Sequence, residues 1–181
     1  MTQESPRYHP CSRAEVETWI AEEKIPPQFQ NERFPYHLMS LFLNNKPLLD
    51  AYATLGRYIS NELTISPRDR ELLIIRCAVK MKSVYEWAHH ERIAKSVGLA
   101  DKELEELKRP TPCDLPAVDI VLVQACDELI DTLELSENTF RALSKSFDTG
   151  NIMDIISVVG LYQWTAMLLR SFHVTIEDVL R

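Results

Sequence analysis

Apolar residues recur at helical spacing along most of the chain, and no stretch shows the polar–apolar alternation of a β-strand. Residues 68–98 are the most regular part, and their pattern predicts two helices joined by a tight turn. Residues 72–79 are almost all apolar, so we expect the first helix to be buried on most sides. Ser66 and Pro67 are typical of an N-cap and a first helical residue, and Gly98 of the left-handed position that ends a helix.

Polar side chains interrupt the face of the second helix that ought to be buried. Ser83, Glu86 and His90 share this face, because residues three, four and seven positions apart lie on one side of a helix. Burying such polar groups costs free energy unless they are paired with other groups or take part in function. If the chain folds back near residues 81–82, an antiparallel partner brings Glu71 within about one turn of His90. The sequence therefore predicts one pocket that contains all four side chains.

Each of these side chains also has an ordinary structural interpretation. His90 can be a buried histidine that pairs with a carboxylate, and Glu71 is expected to orient it. Glu86 can form a salt bridge with Arg70, although Arg70 can instead hold a substrate carboxylate in a bidentate grip. Ser83 can cap the second helix, with a hydrogen bond to substrate as the alternative. The clustering of titratable groups favours the functional interpretation, because such clusters concentrate at active sites.

Three neighbouring aromatic side chains complete the candidate region. Trp87 borders the polar face, where it is either a core residue or a substrate-binding residue alongside Ser83 and Arg70. Tyr85 and His89 are expected to point away from Glu86, with His89 exposed or at an interface.

The remaining elements follow from the same spacing and from helix-capping residues. Further helices are predicted to begin near Ser12, Pro47, Asp101, Ala117 and Ser136. Pro26 and Pro27 are expected to stop the first of them, residues 34–39 look apolar but irregular, and residues 1–11 are expected to form a loose arm. Phe140 is expected to face the core.

Composition narrows the function. A length of 181 residues suits a single domain, and a net charge of -7 argues against a nucleic-acid surface. No signal peptide and no apolar run of membrane-spanning length is apparent. The clustered carboxylates and imidazole match no metal motif, so neither a metal nor another cofactor is predicted. The four cysteines lack C-x-x-C spacing and indicate separate thiols in a reducing cytoplasm; they are Cys11, Cys77, Cys113 and Cys126.

The central segment resembles a known family. The patterns R-x-R-E-L-x-I-x-R, S-x-Y-E-W-x-H-H and I-A-x-x-x-G-L resemble those of the carboxymuconolactone decarboxylase and alkylhydroperoxidase-D-like family, over about residues 44–170. Glu71 and His90 match the family's glutamate and histidine. Ser83 and Glu86 occupy the two cysteine positions of the peroxidase branch, so no dithiol remains to reduce a peroxide.

The resemblance implies a fold and an activity. The expected fold is an all-α, alkylhydroperoxidase-D-like helical bundle in which residues 1–181 form one domain. The expected function is cofactor-independent decarboxylation, or proton transfer next to a carbonyl, on a small organic acid, lactone or related compound. His90 would be the general acid/base, Glu71 would fix its tautomer, and Glu86 would be a second acid/base or hydrogen-bonding group. An alkylhydroperoxidase-like antioxidant and a non-catalytic oligomeric binding protein remain the alternatives.

The last predicted helix points to self-association. Residues 155–169 carry no charge, and apolar side chains cover all faces of the helix that contains them. A helix of this kind is buried in a core or in a subunit interface. Relatives in the family assemble as trimers or hexamers, so we expect a homo-oligomer built partly on this helix, with a small molecule as the other partner and with neither a membrane nor a nucleic acid.

Overall fold

A computed structural model describes residues 5–22 and 34–180 of the chain. The predicted stop at Pro26 and Pro27 lies outside the described residues. Within them there are helices and connecting segments but no strand, which confirms the all-α prediction. The helices are α1 (Arg13–Glu22), α2 (Tyr36–Phe42), α3 (Lys46–Asn61), α4 (Pro67–Lys80), α5 (Val84–Ser96), α6 (Asp101–Leu107), α7 (Ala117–Thr132), α8 (Glu137–Leu143) and α9 (Thr149–Ser171), followed by a 3-10 turn at Asp178–Leu180.

Capping residues set several of the helix ends. The Ser66 hydroxyl accepts a hydrogen bond from the backbone N–H of Asp69, and Ser136 caps α8 in the same way. After α5, Gly98 has a φ of 103°, the left-handed conformation predicted for it. Asp101 is the first residue of α6 and does not cap it; the Glu103 side chain binds the N–H that precedes the helix.

Helix α4 lies at the centre of the bundle, where it packs against α5, α7 and α9. Its residues 71–78 are all buried, as the continuous apolar run predicts. A second apolar cluster joins α1 and α2 to the start of α3, to Tyr85 of α5 and to Leu169 of α9. This second cluster closes one side of the candidate site.

Two short helices depart from the predictions. Residues 34–39 are not irregular, since most of them belong to α2, in which nearly every side chain is buried. In α8, Phe140 is exposed and Leu143 is buried. Thr139 takes the inward position because its hydroxyl donates to Glu128 at 2.7 Å.

Helix α9 is longer than its uncharged run. Its 23 residues are long and apolar enough to cross a membrane by length and composition, which corrects the expectation that no such segment exists. Half of its most apolar window is buried inside the protein. The core helix of a soluble domain passes the same test, so one such helix is weak evidence for a membrane span.

The N-terminal residues that the structure describes rest against the bundle. Residues 5–11 have no regular structure. The backbone N–H of Arg7 donates to Phe172 at 3.0 Å, and that of Cys11 donates to the Ser40 hydroxyl at 2.6 Å.

Candidate active site

The turn between α4 and α5 brings Glu71 against His90. Glu71 is only 1% exposed, and its Oε2 lies 2.8 Å from His90 Nδ1. Its other oxygen accepts a hydrogen bond from Arg70 Nε at 3.0 Å. Because a carboxylate only accepts hydrogen bonds, this contact assigns the proton of a neutral His90 ring to Nδ1 and leaves Nε2 with a lone pair. The Tyr162 hydroxyl lies 3.2 Å from Nε2 and can donate to it.

His90 lines a cavity of about 650 Å³, a size typical of small-molecule sites. Helix α5 supplies Glu86, His89 and His90 to its wall. Residues from α2, α3 and α9 form other parts of the wall, among them Leu38, Tyr52, Tyr162 and Thr165. The wall thus combines titratable groups with aromatic and hydroxyl side chains.

Glu86 is a buried acid without a hydrogen-bond partner among the described residues. It is 3% exposed, and neither of its carboxyl oxygens is bonded. Burial raises its pKa from an ordinary 4.5 to about 8, and the nearby Ser83 hydroxyl opposes this shift without meeting hydrogen-bond geometry. Glu86 is therefore mostly protonated at neutral pH and is able to donate a hydrogen bond.

Arg70 does not pair with Glu86, so the salt-bridge interpretation of Glu86 is wrong. Besides its bond to Glu71, Arg70 donates to the Ser60 carbonyl at 2.8 Å. The guanidinium lies behind Glu71 and does not line the cavity. It therefore neutralises the carboxylate that holds His90.

Trp87 and Ser83 also lie outside the cavity wall. The Trp87 indole donates to Glu91 at 3.2 Å, and Lys108 lies 4.8 Å from its ring. Ser83 occupies the N-cap position of α5, but its side chain makes no capping bond. It lines a separate depression of about 360 Å³ with Arg170. Of the four side chains predicted to share one pocket, Glu86 and His90 line the cavity, and Glu71 contacts His90 from outside the lining.

Four groups near the cavity were not predicted. Tyr52 and Tyr162 line it from α3 and α9. His89, expected to be exposed or at an interface, is mostly buried, and its Nε2 lies 2.7 Å from Glu177 Oε2. Tyr162 could have been found as one of the few polar residues in the uncharged run, whereas no signal pointed to Glu177.

Comparison with known proteins agrees with this fold. The helical fold is similar to that of alkylhydroperoxidase-D-like proteins. Residues 46–110 match the model of the Carboxymuconolactone decarboxylase family, a segment that spans α3 to α6 and contains Glu71, Glu86 and His90. The predicted resemblance to the carboxymuconolactone decarboxylase and alkylhydroperoxidase-D-like family is confirmed. No curated protein matches the chain.

Solved structures share the fold over nearly the whole chain. An uncharacterized peroxidase-related protein from Silicibacter sp. TM1040 has 17% identity and a TM-score of 0.80, with 99% of this chain and 96% of that chain covered. An alkylhydroperoxidase AhpD core protein from Ralstonia eutropha JMP134, also peroxidase-related, has 12% identity and a TM-score of 0.76, with coverage of 97% and 94%. The debrominase Bmp8, as a cysteine-to-alanine variant with 2,3,4-tribromopyrrole, has 14% identity and a TM-score of 0.80, with coverage of 99% and 96%.

Proposed function

We propose that the protein is a cofactor-independent acid–base enzyme that acts on a small organic acid, lactone or related carbonyl compound. The reaction would be decarboxylation or proton transfer next to the carbonyl. The observation that carries this proposal is that two unlike groups line one cavity: His90, fixed by Glu71, and the buried acid Glu86, which has no hydrogen-bond partner among the residues that the structure describes. When the surroundings of one titratable group keep it protonated and leave its neighbour a free lone pair, the first group can act as an acid and the second as a base.

The geometry supports a separate role for each group near the cavity. His90 Nε2 would take a proton from the carbon next to the carbonyl, or would return one after carbon dioxide has left. Glu71 would stabilise the imidazolium formed at that moment. Loss of carbon dioxide or of a proton leaves an electron pair as an enolate, and the neutral Glu86 carboxyl would donate a hydrogen bond to its oxygen. The Tyr162 hydroxyl would return its hydrogen bond to His90 between turnovers.

Replacing His90 or Glu86 by Gln should lower turnover by at least about 100-fold, the lower end of what a positioned acid or base contributes. Proton NMR in D₂O would follow a panel of γ-lactones and β-oxo acids. It reports decarboxylation as a new product and proton transfer as loss of the signal next to the carbonyl. Circular dichroism would show that both variants keep their helices.

Matched controls use residues that do not line the cavity. His9→Gln and Glu105→Gln make the same substitutions at exposed positions and should keep wild-type rates. Full activity in both cavity variants would refute the assignment of His90 and Glu86.

The antioxidant alternative needs a reactive thiol. Cys77 is the cysteine nearest to the motif, but its side chain is fully buried in α4, and burial raises its pKa. The Cys77 thiol also does not line the cavity. The site therefore favours acid–base chemistry over peroxide reduction. A non-catalytic binding role would instead appear as ligand binding without turnover.

All four cysteines are free, which supports a location of the protein in the cytoplasm.

We also propose that the protein is a homo-oligomer, a trimer or hexamer, that packs partly through α9. Met153, Ile156 and Met167 are exposed large apolar residues on this helix, and Gly160 lies among them on the same exposed side. An uncharged face of this kind is typical of an interface core.

Ile156→Glu should convert the oligomer to a smaller species, because it places a charge in the proposed contact. Size-exclusion chromatography with light scattering would measure the mass. Leu133→Glu is the matched control, since Leu133 is an exposed apolar residue outside α9. A wild-type protein that is monomeric at micromolar concentration would contradict the proposal.

A further inference from the structure

A second histidine of the cavity wall is also paired with a carboxylate. His89 lines the cavity beside His90, and its Nε2 lies 2.7 Å from Glu177 in the C-terminal segment. The His89 ring packs against the Tyr85 ring with centroids 4.5 Å apart. Position and orientation of the imidazole are therefore fixed from two sides.

Glu177 is built to remain charged. Burial opposes its ionisation, but hydrogen bonds from His89, from the backbone N–H of His37 and from the Tyr85 hydroxyl outweigh burial and lower its pKa. A charged Glu177 accepts the Nε2 proton of His89, so the remaining ring nitrogen, Nδ1, carries the lone pair of the neutral ring. Glu177 thus fixes the tautomer of His89, as Glu71 fixes that of His90.

We propose that His89, positioned by Glu177, is a second acid/base group of this site, and that the enzyme moves a proton between two carbons of its substrate. The proposal rests on the proposed function of His90 and extends it. One histidine suffices to remove and return a proton at a single carbon. Two histidines with separate carboxylates allow removal at one carbon and delivery at another, which is isomerisation of an unsaturated carbonyl compound.

The reaction balances without a cofactor. His90 removes a proton from the carbon next to the carbonyl of a β,γ-unsaturated lactone, and the electron pair forms a dienolate. His89, which carries a second proton on Nδ1 at this point, delivers that proton to the γ-carbon. The double bond then moves into conjugation with the carbonyl. His90 then loses its proton to solvent and His89 regains one, so substrate and product are isomers.

α-Angelica lactone, a β,γ-unsaturated γ-lactone, separates the two steps in D₂O. Proton NMR measures deuterium exchange at the carbon next to the carbonyl and, separately, formation of the conjugated isomer. The wild-type protein should catalyse both. His89→Gln retains a donor for Glu177 but loses acid/base capacity, so it should keep exchange within about twofold and lose isomerisation by about 100-fold.

A purely structural role would give a different pattern. If His89 and Glu177 only fasten the C-terminal segment, His89→Gln will change both rates equally, which would overturn the proposal. His9→Gln makes the same substitution at an exposed position outside the cavity lining and should keep both rates. A loss of isomerisation in His9→Gln as large as in His89→Gln would also overturn the proposal.

The measurements distinguish a failure of the role proposed for His89 from a failure of the proposed function. A wild type that exchanges the proton but forms no isomer would reject the role of His89 and leave that of His90 standing. A wild type inert toward this lactone in both measurements would reject the second proton transfer. If His90→Gln also matches wild type on the wider panel, the proposed function itself is rejected.

Discussion

Arg76→Met should lower the free energy of unfolding by about 3–5 kcal/mol, the cost of breaking a buried ion pair by removing one partner. Arg76 is 1% exposed. Its Nε and Nη2 donate to the two Asp127 oxygens at 2.7 and 2.6 Å. It also donates to backbone carbonyls at the end of α6 and in the segment that follows, those of Leu107, Arg109 and Pro110. Met fills a similar volume but leaves all of these acceptors without their donor.

A neighbouring ion pair provides the control. Lys80 and Asp131 lie one turn further along the same two helices, 2.7 Å apart, but are much more exposed. Lys80→Met should therefore cost at most about 1 kcal/mol. Urea unfolding followed by circular dichroism measures both variants. Equal losses in the two would show that burial does not set the strength of these pairs.

The free energy of unfolding of Glu86→Gln, measured relative to that of the wild type, should increase as the pH rises. The pKa of Glu86 is raised from 4.5 to about 8 in the folded protein, so folding favours its neutral form. That contribution to stability is complete below pH 4.5 and is lost as the pH rises toward 8. The wild type should lose about 1.4 kcal/mol per pH unit relative to the variant within this window, or about 3 kcal/mol between pH 5 and pH 7.

Urea unfolding at pH 5, 6 and 7 measures this difference. Other groups titrate in both proteins and cancel in the comparison. The exposed Glu105→Gln should show a constant difference from wild type over the same range. A constant difference for Glu86→Gln as well would mean that Glu86 is ionised in the folded protein, and its role as a hydrogen-bond donor would then be lost.

Local patterns predicted the centre of the fold and its main contact. Helical spacing and capping residues located α4 and α5, and the shared face of the second helix placed His90 opposite Glu71. These features depend on residues close together in sequence, for which periodicity is a direct signal.

Contacts between distant residues could not be predicted in this way. Glu177 lies 88 positions after His89, and nothing in a single sequence links the two. Neither interpretation of Arg70 named Glu71 as its partner, because spacing does not show which way a long side chain turns. Helix α2 was missed because it is buried on nearly all sides and so has no polar face to reveal its period.

The adjacent pairs have a mechanical consequence for α5. Successive side chains of a helix point about 100° apart around its axis, so Glu71 and Glu177 hold α5 through His90 and His89 from different directions. Rotating α5 to improve one contact would strain the other. The chain's C-terminal segment therefore helps to set the angle at which His90 meets whatever enters the cavity.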